Sequence, residues 1–251
     1  MKRVLCPLPA YGFDPTETAI PWKILTEGGV QIVFATPDGQ VPAGDEAMLT
    51  GDGLGIWKRV LRARHDAADA YGEMTQAASF NQPAKYSDII ADDFDALLLP
   101  GGHDKRVRDF LESTVLQEAI AEFFTSGKPV AAICHGVVAA ARSKDPKTGR
   151  SVLHGYRTTS LLKSQEMLAF NMTRLWLKDY YLTYPGLTVE DEVKATLADY
   201  SQFEHGPTPL GRDMPSKLSR GFFVRDRNYL SARWPGDVYS FALEFERMLA
   251  E

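Results

Sequence analysis

Short apolar runs of strand length alternate along this chain with longer segments of helical period, and that alternation restricts the fold more than any other feature. A strand returning parallel to its neighbour needs a crossover long enough to hold a helix, so the order predicts an α/β fold: a mostly parallel sheet with helices on both faces. The runs are Val4-Leu5-Cys6, Val30 to Ala35, Asp95 to Leu99 and Val130 to Ile133. Between them, Pro15 to Glu27 reads as a helix stopped by Gly28-Gly29, and about Val107 to Ser126 as another stopped by Gly127. Farther along, Leu161 to Lys178 has the period of a long amphipathic helix, while Thr188 to Val193 reads as a strand with Glu190-Asp191-Glu192 on a solvated edge. Gly206 to Ser219 is rich in Pro and Gly and reads as irregular. Two strands, Phe222 to Val224 and Tyr229 to Ala232, flank a turn at Arg227-Asn228, and a helix from about Asp237 to Leu249 closes the chain. Residues 40–92 are polar, helix-prone and without strand signal. They read as an insertion over the sheet, so residues 1–251 form one domain with a helical insertion at about 40–92 and an extra helical segment at about 155–187.

Composition narrows the function classes. With 44% hydrophobic and 24% charged residues over 251 positions, the chain can bury a large core and lacks the signature of disorder. A formal net charge of −5 supplies no summed positive field for a phosphate backbone, which argues against nucleic acid as a partner. Two cysteines, Cys6 and Cys134, are too few for a disulfide framework and fit a reducing compartment. Pro7 and Pro9 interrupt the amino-terminal apolar run before it reaches signal-peptide length, and no stretch approaches the roughly 18 apolar residues of a membrane span. The expectation is a cytoplasmic protein that meets no membrane.

The junction Val130-Ala131-Ala132-Ile133-Cys134-His135-Gly136 carries the most chemical information. A residue at a sharp strand-to-helix turn is held clear of the sheet, with the backbone N–H groups that follow it aimed at whatever it attacks. For cysteine, the helix N-terminus is expected to favour the thiolate and lower the pKa. The bland alternative is a small buried hydrophobe, the reading adopted for Cys6 inside its strand. His135 adjoins the sulfur in sequence and could serve as base or imidazolium partner. The strand ending at Leu99 stops on Pro100-Gly101-Gly102, and parallel strands open such turns onto one carboxyl edge, where ligands collect. Backbone N–H groups at about Gly102 and His135 could there hold negative charge developing on an oxygen. Glu17 opens the first helix at the same edge. It reads either as a first-turn charge stabilised by the helix dipole or as a carboxyl delivered to the cysteine. His103 and Tyr156 are possible pocket residues. Too few His and Cys cluster to suggest a metal, and no cofactor is implied.

Ala131-Ala132-Ile133-Cys134-His135-Gly136, Leu99-Pro100-Gly101-Gly102 and Glu17-Thr18-Ala19-Ile20-Pro21 together resemble the DJ-1/PfpI superfamily, also described as ThiJ or as a class I glutamine-amidotransferase-like domain. The resemblance covers roughly residues 3–36, 94–142 and 188–249. It implies a flavodoxin-like three-layer sandwich, a homodimer, a role in stress response and a glutamate-cysteine-histidine site. On the matching positions it makes Cys134 the nucleophile, His135 its neighbour, Glu17 the carboxyl that bonds the sulfur, and Gly101 and Gly102 the oxyanion turn. Two features depart from family patterns. Gly155 to Ser160, where an acid often completes a Cys-His-acid triad, holds no carboxylate, and neither His154 nor His205 is followed by Glu two positions later, as glutamine amidotransferases require. The expected function is a cofactor-independent cysteine enzyme on small reactive carbonyls, of glyoxalase III type, converting a 2-oxoaldehyde to a 2-hydroxy acid. The alternatives are a cysteine amidase or peptidase and a non-catalytic redox-responsive or chaperone-like protein.

Overall fold

The computed structural model describes residues 1–251. Its strands are β1 (Arg3–Pro7), β2 (Tyr11–Phe13), β3 (Gln31–Thr36), β4 (Ala43–Gly44), β5 (Ala84–Lys85), β6 (Ala96–Leu99), β7 (Val130–Ile133), β8 (Phe223–Asp226) and β9 (Tyr229–Ala232). Seven form one sheet in the order β5-β3-β1-β6-β7-β9-β8. All neighbours in it run parallel except β8, which pairs antiparallel with β9 at the edge. The helices are α1 (Pro15–Glu27), α2 (Glu46–Thr50), α3 (Lys58–Leu61), α4 (His65–Gln76), α5 (Ala78–Asn81), α6 (Arg108–Leu111), α7 (Thr114–Thr125), α8 (Gly136–Arg142), α9 (Lys163–Leu177), α10 (Val189–Thr196) and α11 (Val238–Ala250). None is long and apolar enough to cross a membrane.

The two-residue period of the strands divides the core into two layers. Leu5, Leu97, Leu99, Val130 and Ala132 face α7, α8 and α10. Val4, Cys6, Ala96, Leu98, Ala131 and Ile133 face α1, α4 and α11. This is the flavodoxin-like three-layer arrangement. Because β1, β6, β7 and β9 run parallel, their carboxyl ends deliver Asp14 to Glu17, Pro100 to Gly102, Cys134 and Arg233 to Pro235 to one edge.

Several local readings need correction. Residues 188–193 are helical, not a strand. Thr188 accepts from the Asp191 N–H as N-cap, the three acids that follow suit the positive end of a helix, and Val189 and Val193 recur at i, i+4 on its buried face. Nor is the acidic run a solvated edge: Glu190 is buried and bonds the Lys163 N–H and His205, and Glu192 pairs with Arg142. The segment 40–92 contains two strands of two residues each, too short to leave a periodic signal. One pairs with β2 and the other extends the main sheet beside β3. The helix read from 107 to 126 breaks at Ser113, whose hydroxyl caps α7 by accepting from Leu116 N–H.

The irregular stretch after residue 205 is tied to the sheet by one buried ion pair. Arg233, just past β9, donates from Nε and Nη2 to the Asp237 carboxylate at 2.8 and 2.9 Å and from Nη1 to the carbonyls of His205 and Pro207 at 3.1 and 2.6 Å. Both side chains are wholly buried. Replacing one member strands the other charge away from water, so Arg233→Met is expected to cost roughly 3–5 kcal/mol in urea unfolding. A loss below about 1 kcal/mol would contradict this role.

Candidate active site

Cys134 sits at the β7–α8 junction with φ of +57°, one of few non-glycine residues in the left-handed region. A strained elbow of this kind costs on the order of 1–3 kcal/mol and persists only where its surroundings fix it. Two glycines make that possible. A Cβ on Gly136 would lie 2.0 Å from the Leu99 carbonyl oxygen, and one on Gly101 would lie 2.6 Å from Glu17 Oε2 and 2.8 Å from Cys134 Cβ. The β6 and β7 turns therefore touch, and the cysteine and glutamate are pressed together across Gly101.

Glu17 arrives in the first turn of α1, which Asp14 caps by accepting from the Thr16 and Glu17 N–H groups at 2.8 and 3.0 Å. The glutamate is fully buried, and its Oε2 accepts from the Gly101 N–H at 3.1 Å. Its Oε1 has no partner of ordinary hydrogen-bond geometry; the neighbouring polar group is the Cys134 thiol. Burial pushes the Glu17 carboxyl well above the usual carboxylate range, with Asp14 adding to the rise. Burial likewise pushes the Cys134 thiol up, reinforced by Glu17 and Asp14. The expectation that the helix N-terminus would lower the thiol pKa is therefore overturned: desolvation and two acidic neighbours outweigh the dipole of a seven-residue helix. Two adjoining buried acids resist double ionisation.

His135 is 1% exposed and lies behind the sulfur, with Nδ1 3.4 Å from Sγ. On its far side, Nε2 is 2.9 Å from Thr183 Oγ1. That hydroxyl donates its single proton to the His103 carbonyl at 2.7 Å, so toward the ring it can only accept. The ring proton is thereby assigned to Nε2, and Nδ1 faces the sulfur as an acceptor. The Thr183 carbonyl is itself held by Arg108 Nε at 3.0 Å. Burial lowers the His135 pKa to about 3. The histidine is thus neutral, fixed by a hydroxyl where a carboxylate was sought, and poorly suited to be a base. Thr183, 48 residues away, leaves no local sequence signal.

Cys134, Glu17, Asp14, Gly102 and His103 line a cavity of about 490 Å³. Cys134 is 6% exposed and Cys6 is sealed inside β1 with a thiol pKa raised by burial alone. Gly101 needs reassignment, since its N–H is taken by Glu17 and cannot hold a substrate oxygen. Gly102 at the cavity wall keeps its N–H free of fold partners, and the His135 N–H points at the sulfur. His103 is held against the wall by Tyr181, stacked at 4.5 Å, and by Tyr180. Tyr156 does not belong here: it packs on Phe124 and Tyr229, donates to Asn228 and borders a different depression. The remaining walls come from residues 59–64, 161–172 and 209–212. Among them Glu166, unremarked in the sequence, accepts from the Val189 N–H, and burial raises its pKa to about 7.

A family model described as ThiJ/PfpI family-like matches residues 8–207. Among curated proteins, a glutathione-independent glyoxalase of Schizosaccharomyces pombe is 28% identical over 157 residues, covering 62% of each chain. The Deglycase PfpI of Pyrococcus furiosus is 30% identical over 165 residues, covering 65% of this chain and 68% of that one. With the glyoxalase and with an uncharacterized Schizosaccharomyces pombe protein, the match spans 62% and 65% of the relative's length, a little under two thirds. Among solved structures, the glyoxalase III of Candida albicans superposes with a TM-score of 0.68 over 98% of this chain and 97% of that one. The Rapid Encystment Protein of Francisella tularensis does so with 0.71 over 99% of each. At 17% and 16% identity these two establish the fold.

The environment of His135 has a measurable consequence. Its folded pKa of about 3 lies below the ordinary 6.5, so between these values the unfolded chain binds more protons than the native one. The resulting stability is fully present above pH 6.5 and is lost as pH falls toward 3. In urea unfolding at a series of pH values, His135→Gln should lose less stability than the wild type over this interval. Parallel curves would contradict the assignment.

Proposed function

Because the chain belongs to the ThiJ/PfpI-like family, we propose that it is a cofactor-independent enzyme of small reactive carbonyls in which Cys134 attacks an aldehyde carbon. The observation that carries this reading is the strained cysteine pressed against the fully buried carboxyl of Glu17 at the floor of a cavity. The names of the relatives, glyoxalase and deglycase, support carbonyl chemistry over peptide hydrolysis. A redox-sensing reading gains nothing from a thiol whose surroundings disfavour the oxidisable thiolate.

On a 2-oxoaldehyde, Glu17 takes the thiol proton as Sγ bonds to C1, and the Gly102 N–H receives the oxygen as it gains charge. Glu17 returns that proton to the oxygen, giving a hemithioacetal. The same carboxylate, a base strengthened by burial, then removes the C1 hydrogen and delivers it to C2, while the C1 hydroxyl proton passes to the C2 oxygen. C1 is oxidised to the thioester level while C2 is reduced to a carbinol, so no external oxidant or reductant is needed. Water hydrolyses the thioester, releasing a 2-hydroxy acid and the thiol. His135, held by Thr183, positions the sulfur and takes no proton from substrate, because its ring does not border the cavity.

Incubation with methylglyoxal, following its disappearance and the appearance of lactate, tests the proposal. Cys134→Ser should abolish turnover, and Glu17→Gln should lower kcat by about 10²–10⁴-fold while leaving the fold intact by circular dichroism. Lactate formation by Cys134→Ser at the wild-type rate would refute it.

A further inference from the structure

Buried polar atoms without a hydrogen-bond partner are rare in folded proteins. Six side-chain atoms are in that condition here: Thr159 Oγ1 lies elsewhere, and the other five, Glu17 Oε1, His103 Nε2, Tyr181 OH, Arg212 Nη1 and Trp234 Nε1, belong to residues lining the one cavity that contains Cys134. Glu17 belongs to the chemistry already described. The other atoms mark a wall built to meet a polar ligand, and two of them, Arg212 Nη1 and Trp234 Nε1, are donors only.

Arg212 is the charged member of this wall. Its Nη2 donates to the Leu61 carbonyl at 3.1 Å and toward that of Val60 at 3.3 Å, and its guanidinium lies 5.9 Å from the Trp234 ring. The buried Arg233–Asp237 pair secures both ends of this arrangement, since Arg233 holds the His205 and Pro207 carbonyls and precedes Trp234. Asp14 and Glu17 feel the charge of Arg212. Neither reaches it as an ion pair, so the guanidinium keeps a free face beside the nucleophile. Arg59, Arg62, Arg64 and Arg220 also line the cavity, and the first three continue into an adjoining cleft. Arg64 is paired with Asp66 at 3.0 Å, and the others bring positive charge to the cavity mouth of a chain of net charge −5.

We propose that the substrate carries an anionic head, a carboxylate or phosphate, received by Arg212 Nη1 and Trp234 Nε1 while its carbonyl meets Cys134. This rests on the carbonyl chemistry proposed above and names the class of carbonyl. A neutral 2-oxoaldehyde leaves Arg212 Nη1 unpaired, whereas an anion satisfies it with charge-assisted hydrogen bonds. Discrimination built on leaving a buried donor unpaired is the strong kind.

Initial rates of the full chain on methylglyoxal, 4,5-dioxopentanoate and hydroxypyruvaldehyde phosphate separate the possibilities. The last two keep the 2-oxoaldehyde and add a carboxylate or a phosphate, so the better of them identifies the head group. The expected result is kcat/KM at least about tenfold higher for one anionic substrate than for methylglyoxal, a ratio that declines with added salt. Arg212→Met should reduce that ratio at least about tenfold, with Arg212→Lys between the two. A wild-type ratio below tenfold, or a ratio preserved in Arg212→Met, overturns the proposal.

Should none of the three carbonyls turn over, binding still decides. 4-Oxopentanoate, which has no aldehyde, and inorganic phosphate are titrated by calorimetry into Cys134→Ser with and without Arg212→Met. Binding by either that depends on Arg212 upholds the anion site while the carbonyl chemistry fails, and absence of such binding overturns the anion site.

Discussion

The closeness of a carboxyl and a thiol in a desolvated space organises this protein. Ionising both would place two negative charges together away from water, and burial with this mutual repulsion pushes both groups above their ordinary ranges. The contact exists because two loop turns meet without a side chain between them. Gly101 and Gly136 leave the room, and the left-handed backbone at Cys134 turns the sulfur toward Glu17. The strain at that residue is sustained by β7, hydrogen-bonded on both sides in the middle of the sheet.

From that pair the proton chemistry follows. A catalytic cysteine is usually served by a histidine whose second nitrogen faces a carboxylate, which stabilises the imidazolium. Here the second nitrogen faces Thr183, and a hydroxyl stabilises no positive charge. Burial then keeps His135 neutral far into the acid range. In the proposed chemistry proton transfer falls to Glu17, whose carboxyl burial pushes well above the usual carboxylate range.

Floor and walls of the cavity come from different parts of the chain. The floor is made of sheet-edge turns whose places are fixed by strand pairing. The walls are α3 and its neighbours, α9 and the stretch through Arg212, and the last is anchored by the fully buried Arg233–Asp237 pair. Floor and walls thus belong to separate segments, so a wall can change without disturbing the pair beneath it.

The sequence by itself determined the layered architecture, because strand-length apolar runs with period two and helices with period 3.6 leave few ways to bury both. It also offered Cys134 at a strand-to-helix turn and Glu17 in a first helical turn as candidates, which the family resemblance singled out over a buried hydrophobe and a dipole-stabilised charge. Local rules erred where signals were short or ambiguous. Thr188 to Val193 presents valines that suit either period, and only contact of Val189 and Val193 with the α8 layer made it a helix. The partner of His135, the commitment of the Gly101 N–H to Glu17 and the unpaired face of Arg212 were settled by tertiary structure alone. Each joins residues dozens of positions apart, and a pKa or an unsatisfied donor depends on burial, which no window of sequence contains.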